Sequence, residues 1–509
     1  MIDTKALREK VLDLAIRGKL VPQDPDDEPA SVLLERIRMQ KEQMVKEGKL
    51  KAKDIKIDTI IFKGEDNLHY EKFQDGTVKS IEDEIPFEVP DDWRWCRLGL
   101  IFAHNTGKAL NSSDTNGTKL TYITTSNLYW DRFELDSLKE MPFTDSEIEK
   151  CTVTKGDLLV CEGGDVGRAA IWMFDEEIRI QNHIHRLRPY ITLSNRFFYY
   201  VFYLWKCIER IGGRGIGLQG FSSKALHQLI IPVPPFAEQY AIVSKLDYIL
   251  DFIDDLEAQK IELSTVVAST KTKILDLAIR GKLVPQDPDD ESASVLLERI
   301  RAEKEELIKQ GKIKRDKKES IVFKGDDNSY YEKYADKSVK CINNALPFEV
   351  PNSWEWCRLN DIAIEVFAGG DKPQLTKKDR TTDAPIPIYA NGVDNDGLYG
   401  YTNMPRVIEP SITISARGTI GFCCVREEPF YPIIRLITVT PHNTINLHFL
   451  SYIFTTMLET GTGSSIPQLT VPNVKPKLVP IPPHQEQNRI VTRVKDYFAI
   501  LEAIEKSLN

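Results

Sequence analysis

The 509-residue chain lacks most of the features that would assign it a chemistry at a glance. No apolar run reaches the roughly eighteen residues that a membrane helix needs, so a helical span is not expected. The opening stretch, MIDTKALREK, is charged and has no apolar signal-peptide core, and a cytoplasmic location is the expectation. Eight cysteines form no CxxC pair, and the eight histidines lie at no zinc-ligand spacing beside them. Reduced core thiols are therefore expected rather than a metal centre or a disulfide framework. No GxxxxGK[ST] loop is present to cradle a nucleotide phosphate, and no Asn-Pro-Pro-Tyr or Asp-Pro-Pro-Tyr stretch of the adenine-methylating kind. Gly163, Gly164 and Gly167, like Gly212, Gly213, Gly215 and Gly217, lack the strand-turn-helix setting of a dinucleotide site and read as turns. Positive charge is short as well. A net charge of −9 argues against coating nucleic acid through an overall basic field, and leaves local readout open.

What the chain does have, it has twice. DLAIRGKLVPQDPDD occupies residues 13–27 and returns unchanged at 276–290. SVLLERIR (31–38) returns at 294–301, IFKGEDN (61–67) as VFKGDDN (322–328), and PFEVPDDWRWCRL (86–98) as PFEVPNSWEWCRL (347–359). Similarity then fades to fragments, such as GDLLVCEGGDVGRAA (156–170) against PSITISARGTIGF (410–422). It sharpens again where IPVPPFAEQ (231–239) matches VPIPPHQEQ (479–487). Each half is a near-constant frame around a variable insert, and at this length two or more cores are expected.

After IPVPP, Ile242, Leu246, Ile249, Ile253 and Leu256 keep the four-three spacing of a coiled-coil seam, continued by Leu263, Val267, Ile274 and Leu277 into DLAIRGKL. The second copy, Ile490, Val494, Tyr497, Leu501, Ile504 and Leu508, stops with the chain, and its continuation is found at Leu7, Val11 and Leu14. The repeat offsets, 263 residues at DLAIRGKL and 248 at the PPxxEQ element, together exceed the chain length of 509 by two. The chain thus reads as a cyclic two-fold repeat opened within a helix. A pseudo-two-fold axis would lay the long helices antiparallel. An unbroken helix over residues 238–278 would be roughly 60 Å long. Gly281, Pro285 and Pro288 end it, and second helices are expected at 31–45 and 294–308. The inserts carry short β-favouring runs, LTYITT, DLLV, SITIS and IIRLITVT, among Gly, Asn and Asp, so mixed α/β domains with many loops are expected.

Two dissimilar inserts, each opened by PFEVPxxWxWCRL and closed by PxPPxxEQ before a long helix, within a cyclic repeat, resemble the specificity subunit of type I restriction-modification systems. The resemblance covers essentially the whole chain and extends to GGDKPQ (369–374), IPIYANGVDNDGLYGYT (386–402), KGDLLV (155–160) and TGSSIPQLT (462–470). The first insert departs from it at residues 214–221, RGIGLQGF, where the second has SSIPQL.

The resemblance implies an α+β protein. Two mixed α/β target-recognition domains would be separated by long antiparallel coiled-coil helices in a pseudo-two-fold cyclic repeat. The expected divisions are a helical repeat region and linker at 1–85, a first target-recognition domain at 86–235, and central helices with linker at 236–346. A second target-recognition domain follows at 347–483, and a distal helix at 484–509 pairs with the central helices. Each domain would read one half of a bipartite double-stranded DNA site. The helices would set the separation and dock two methyltransferase subunits, with restriction/translocase subunits in the larger assembly. The chain itself would hold no cofactor and catalyse nothing; S-adenosylmethionine, ATP and Mg²⁺ would belong to the partners.

Neither insert is basic: residues 86–235 hold 17 Lys/Arg against 18 Asp/Glu, and residues 347–483 hold 11 against 13. DNA contact must therefore come from local clusters or partners. In the first insert the candidates are Lys108, Asn111, Ser112, Ser113, Lys119, Thr124, Thr125, Ser126, Asn127, Tyr129, Arg168, Arg214 and Gln219. In the second they are Lys372, Gln374, Lys377, Asn391, Asn395, Tyr399, Arg417, Arg435, Ser464, Ser465 and Gln468. Amide, hydroxyl and cationic groups of these kinds read base edges and phosphates; the same residues also make plain turns and solvated surface. Two rivals remain. One is a bivalent protein-binding scaffold. The other is a nuclease using Pro25-Asp26 with Asp54 and Lys56, and Pro288-Asp289 with Asp316 and Lys318, although these lie in a turn and a Lys-rich tail rather than on adjacent strands.

Overall fold

The fifteen-residue repeat ends a helix in both copies. Thr4–Ile16 and Phe236–Ile279 stop at glycines with positive φ, +67° at Gly18 and +66° at Gly281. Lys19 N then donates to Leu14 O at 2.8 Å and Lys282 N to Leu277 O at 2.9 Å. The segment packs closely on PFEVP: a Cβ on Gly18 would meet Pro90 Cγ at 2.5 Å, and one on Gly281 would meet Pro351 Cγ at 2.4 Å. Arg17 lies over the Phe87 ring at 4.3 Å, and Arg280 over Phe348 at 4.4 Å. Two distant pieces of frame thus make the same contacts in each repeat, a reason for them to stay alike.

These contacts come from a computed structural model, which describes residues 3–111, 115–211, 222–316, 319–458, 461–462 and 468–508. The chain divides into one unit of residues 2–259 and another of residues 260–509. The 44-residue helix Phe236–Ile279, about 66 Å long at ~1.5 Å per residue, contributes its two parts to different units.

In the first unit Arg8 pairs with Asp254, and Gln23 Nε2 reaches Glu238 at 2.7 Å. Partner numbers fall as chain numbers rise, so Thr4–Ile16 runs antiparallel to the first part of the long helix. In the second unit Lys271 meets Glu505 at 2.7 Å and Gln286 reaches Glu486 at 2.7 Å, which sets His484–Leu508 antiparallel to the second part. Ile242, Leu246, Ile253, Val267, Ile490 and Val494 are buried as the seam requires. Leu7, Leu263 and Tyr497 are exposed, so the seam is less continuous than its spacing implies. The Leu508 side chain lies outside the described residues.

The second helices are Ala30–Lys46 and Ala293–Lys309, one residue longer at each end than expected. After each comes an antiparallel three-stranded meander, Ile60–Lys63, His69–Lys72 and Val78–Ser80 in one unit, Ser320–Lys324, Tyr330–Tyr334 and Val339–Cys341 in the other. An arginine of the WxWCRL motif fastens each meander. Arg97 Nη2 donates to Glu71 at 2.6 Å and Arg358 Nη2 to Glu332 at 2.7 Å. Around this motif, Arg94–Arg97 pairs with Ile230–Val233, and Glu355–Arg358 with Leu478–Ile481, so both ends of each insert lie side by side.

Within the inserts, dissimilar sequences build matching sheet cores, to which the first insert adds the short strand Thr152–Val153 beside Ile178–Ile180. One sheet has the strand order Ala169–Ile171, Leu158–Cys161, Ile184–Pro189, Phe102–Thr106, all antiparallel. Its counterpart is Cys423–Arg426, Ser411–Ile414, Ile437–Pro441, Ala363–Ala368. The other sheet centres on a parallel pair, Thr118–Ile123 with Ile178–Ile180 and Ile386–Tyr389 with Tyr431–Pro432. An antiparallel strand flanks each pair, Lys139–Phe143 or Leu398–Thr402. The helices Asn195–Cys207 and Leu447–Met457 cover the first sheets with buried Phe197, Phe198 and Trp205, and Phe449 and Phe454. The result is α+β, with two mixed domains and long antiparallel helices. The expectation of core thiols needs correction. Cys96, Cys151, Cys161 and Cys357 are buried, but Cys207 and Cys341 are exposed because they sit at a helix end and on a sheet edge. No described helix is long and apolar enough to cross a membrane.

Candidate nucleic-acid interface

The PPxxEQ element begins a helix, and it also locks the insert to the frame. Glu238, buried, accepts the Trp93 indole N–H at 2.8 Å and the Gln23 amide at 2.7 Å. Burial pushes its carboxyl up, against the pull of those two donors. Gln239 takes the Ser194 backbone N–H at 3.1 Å and donates to Pro234 O at 3.1 Å. Gln487 repeats this with Asn446 N at 2.7 Å and Pro482 O at 3.1 Å. Ser194 and Asn446 precede the covering helices, so one Glu-Gln pair fixes the repeat segment, the insert's opening and its covering helix.

From that fixed base, four loops converge in each insert, each following an equivalent strand. In the first, Lys108 N donates to Ile180 O at 3.1 Å, Asn182 N to Lys108 O at 3.0 Å, and Gln181 N to Ile123 O at 3.0 Å. Arg168 Nη2 reaches Thr125 O at 2.6 Å, with its guanidinium 5.0 Å from the Tyr129 ring centre. In the second, Asn391 Nδ2 donates to Ile434 O at 2.7 Å while its Oδ1 accepts Ala416 N at 2.8 Å. Ile434 N and Arg435 N donate to Gly370 O at 2.9 Å and Gly369 O at 3.0 Å. Arg417 Nη2 meets Gln468 Oε1 at 2.8 Å. The fragments GGDKPQ, ANGVDNDG, SARG and the Gln of SSIPQL are thereby brought together from separate parts of the sequence.

Backbone strain concentrates there. Ile434 and Arg435 have φ of +53° and +59°, and Asn395 and Asp396 have +47° and +53°. A β-branched residue in this region is disfavoured by about 1–2 kcal/mol, a cost met by the bonds to Gly369 and Gly370. The Arg435 side chain stands exposed, as does that of Arg417 on the neighbouring loop.

Several candidates are committed to the fold. The Lys108 ammonium is buried, 2.8 Å from both Glu147 and Pro142 O, and therefore points inward. Asn127 Oδ1 accepts Thr124 N and Oγ1, each at 3.0 Å, and its Nδ2 donates to Glu134 O at 3.0 Å, closing the turn that also holds Ser126. Lys377 pairs with Asp383 at 2.5 Å along the edge of Leu398–Thr402. Lys372 donates to the Tyr399 hydroxyl and lies 4.3 Å from its ring centre. Asn111, Lys119 and Gln374 are exposed. Ser112, Ser113, Arg214, Gln219, Ser464 and Ser465 lie outside the described residues.

The structure adds residues at the same place that sequence reasoning missed: Asn182 and His183 after Ile178–Ile180, and Arg406, exposed 4.6 Å from the Phe367 ring centre. The polar triplet QNH between two apolar strands was the available signal for the first two. The carboxylates of the nuclease reading are scattered. Asp26 and Asp289 sit in matching turns, each with its backbone N–H 3.0 Å from Asp24 or Asp287, while Asp54 accepts Lys51 N at 3.3 Å. Asp316 lies 3.4 Å from Lys475, and Lys318 is outside the described residues.

Two topologically matched domains with converging polar loops, gripped by a duplicated frame, define a bivalent recognition protein. The family described as type I restriction modification DNA specificity domain matches residues 90–264 and 351–509, and the chain belongs to it. It is 28% identical to the type I restriction enzyme EcoAI specificity subunit of Escherichia coli, over 97% of this chain and 88% of that one. With the EcoEI specificity subunit of the same organism it shares 26% over 99% and 90% of the two chains. A chain solved in work on complex assembly and conformational transition of the type I R-M system has the same fold, with a TM-score of 0.50 at 15% identity over 83% of this chain and 94% of that one.

Proposed function

We propose that this chain is the DNA-sequence-reading subunit of a type I restriction-modification assembly, each insert reading one half of an interrupted site. The observation that carries this is the convergence of the same four loops in two inserts whose sequences differ. Different side chains on one scaffold are what two different half-sites require. In the second insert the exposed Arg417 and Arg435 supply phosphate contact or guanine readout, with Asn391 shaping the loops around them. In the first, Arg168, Thr125, Tyr129, Asn182 and His183 form the corresponding cluster.

The chain has no catalytic step of its own in this reading. Two methyltransferase subunits dock on its frame and carry S-adenosylmethionine, and restriction subunits bring ATP and Mg²⁺, all in the cytoplasm. The test is to purify the chain with its methyltransferase and map methylation on random-sequence DNA. Two short specific blocks separated by a fixed gap are expected, and methylation without sequence preference would overturn the reading.

A further inference from the structure

The two meanders offer one surface twice, outside the recognition inserts. In the first, Phe62 pairs across the strands with Tyr70, and Lys72 with both Ile60 and Val78. In the second, Phe323 pairs with Tyr331, and Lys333 with both Ile321 and Val339. The aromatic pairs stack at 5.9 Å in both, with interplanar angles of 28° and 26°. These side chains face away from the core: Ile60 is 41% exposed and Ile321 40%, Phe62 38% and Phe323 37%, Val78 49% and Val339 53%.

Drift between the copies is greater on the inner face and in the turns than on the outer face. On the inner face, buried Thr59, Ile61 and His69 have become Ser320, Val322 and Tyr330. In the turns, Leu68, Gln74 and Gly76 have become Ser329, Ala335 and Lys337. On the outer face the exposed Ile, Phe, Lys and Val and the half-buried Tyr are unchanged, and one exposed position differs, Ser80 against Cys341. Solvent alone imposes no such constraint, whereas a partner covering the face does. Lys72 and Lys333 lie at the centre of each face, exposed and with no ion-pair partner among the described residues. Packing one face on another copy of itself would oppose these lysines, so the charge pattern favours a different chain that presents apolar groups around a carboxylate.

We propose that the outer faces of the two meanders are equivalent docking sites for two copies of one partner protein, each placing an acidic side chain against Lys72 or Lys333. This rests on the reading above, which makes that partner the methyltransferase subunit. The test uses the full chain co-purified with that subunit and weighed by native mass spectrometry, comparing wild type with Phe62→Asp, Phe323→Asp and the double variant. Lys72→Glu with Lys333→Glu serves as a second variant that leaves the apolar face intact. Wild type is expected to carry two methyltransferase copies. Each single variant should hold one copy about tenfold or more weakly, and the double and charge-reversed variants should hold both weakly, with the thermal midpoint of the chain alone unchanged.

Retention of both copies by the double and charge-reversed variants overturns the docking site and leaves the functional reading standing. A wild-type chain that carries no methyltransferase overturns both. Loss of DNA affinity with the methyltransferase kept assigns the face to nucleic acid, and a change in self-association assigns it to a second copy of the chain; either result overturns the proposal.

Discussion

The indole N–H of Trp93 donates to the carboxylate of Glu238 at 2.8 Å, across 145 residues of chain. The same carboxylate holds Gln23, so a single buried group joins the repeat segment, the insert's opening and the start of the long helix. Glu238→Ala leaves the Trp93 and Gln23 donors without their acceptor. It should lower stability by about 1–3 kcal/mol in urea unfolding, with Gln at 238 less damaging than Ala.

Glu332 governs an acid limb. Burial raises its carboxyl, but hydrogen bonds from Arg358, Ser320 and Tyr334 outweigh this and hold it at about 2, below the ordinary 4.5. The folded state therefore binds its proton more weakly than the unfolded chain does. The resulting stability is present above pH 4.5 and lost as pH falls toward 2. Unfolding midpoints between those pH values should fall more steeply for the wild type than for Glu332→Gln; parallel curves would count against the Arg358 clamp.

Lys108 and Arg417 should behave oppositely. Lys108→Ala strips the buried partner from Glu147 and should lower the thermal midpoint. Arg417→Ala should leave the midpoint unchanged and weaken binding to the second half-site by roughly 1–3 kcal/mol if the group reads a base edge, measured by titration of specific DNA.

Exchanging residues 99–230 for the insert of a relative should change one half of the methylated sequence and preserve the other half and the gap. Methylation mapping reads this directly, and a change in both halves would contradict independent inserts.

Much of the frame was legible because it occurs twice. DLAIRGKL, PFEVPxxWxWCRL and PPxxEQ could be matched by eye, and the seam spacing marked the helices Phe236–Ile279 and His484–Leu508. The site was less legible for a physical reason: its contacts are long-range. Lys108 looks solvated in GKALNSSD, and acceptors far along the chain, Pro142 O and Glu147, turn it inward. The parallel pairing of Ile388 with Tyr431, which brings Arg435 beside Asn391, leaves no periodic trace in either segment. The meanders' short strands, broken by GEDN and QDG in one copy and by GDDN and ADK in the other, read as linker.

The cyclic arrangement makes a further demand. Joining Asn509 to Met1 through a short linker and reopening the chain between Ile261 and Ser264 should give a protein that folds, binds its partners and reads the same DNA. A permuted chain that folds yet recognises nothing would show the repeat to be linear.

The pairing of Arg94–Arg97 with Ile230–Val233, and of Glu355–Arg358 with Leu478–Ile481, brings the two ends of each insert to adjacent strands, about 4.8 Å apart. Whatever lies between is a closed excursion whose contour length the frame cannot sense. From Gln23 to Glu238 the chain runs 215 residues, and from Gln286 to Glu486 only 200, yet both pairs close at 2.7 Å. Insertions and deletions inside an excursion are therefore silent at its base, and a new reading head can be spliced in whole wherever its two ends arrive as neighbouring antiparallel strands.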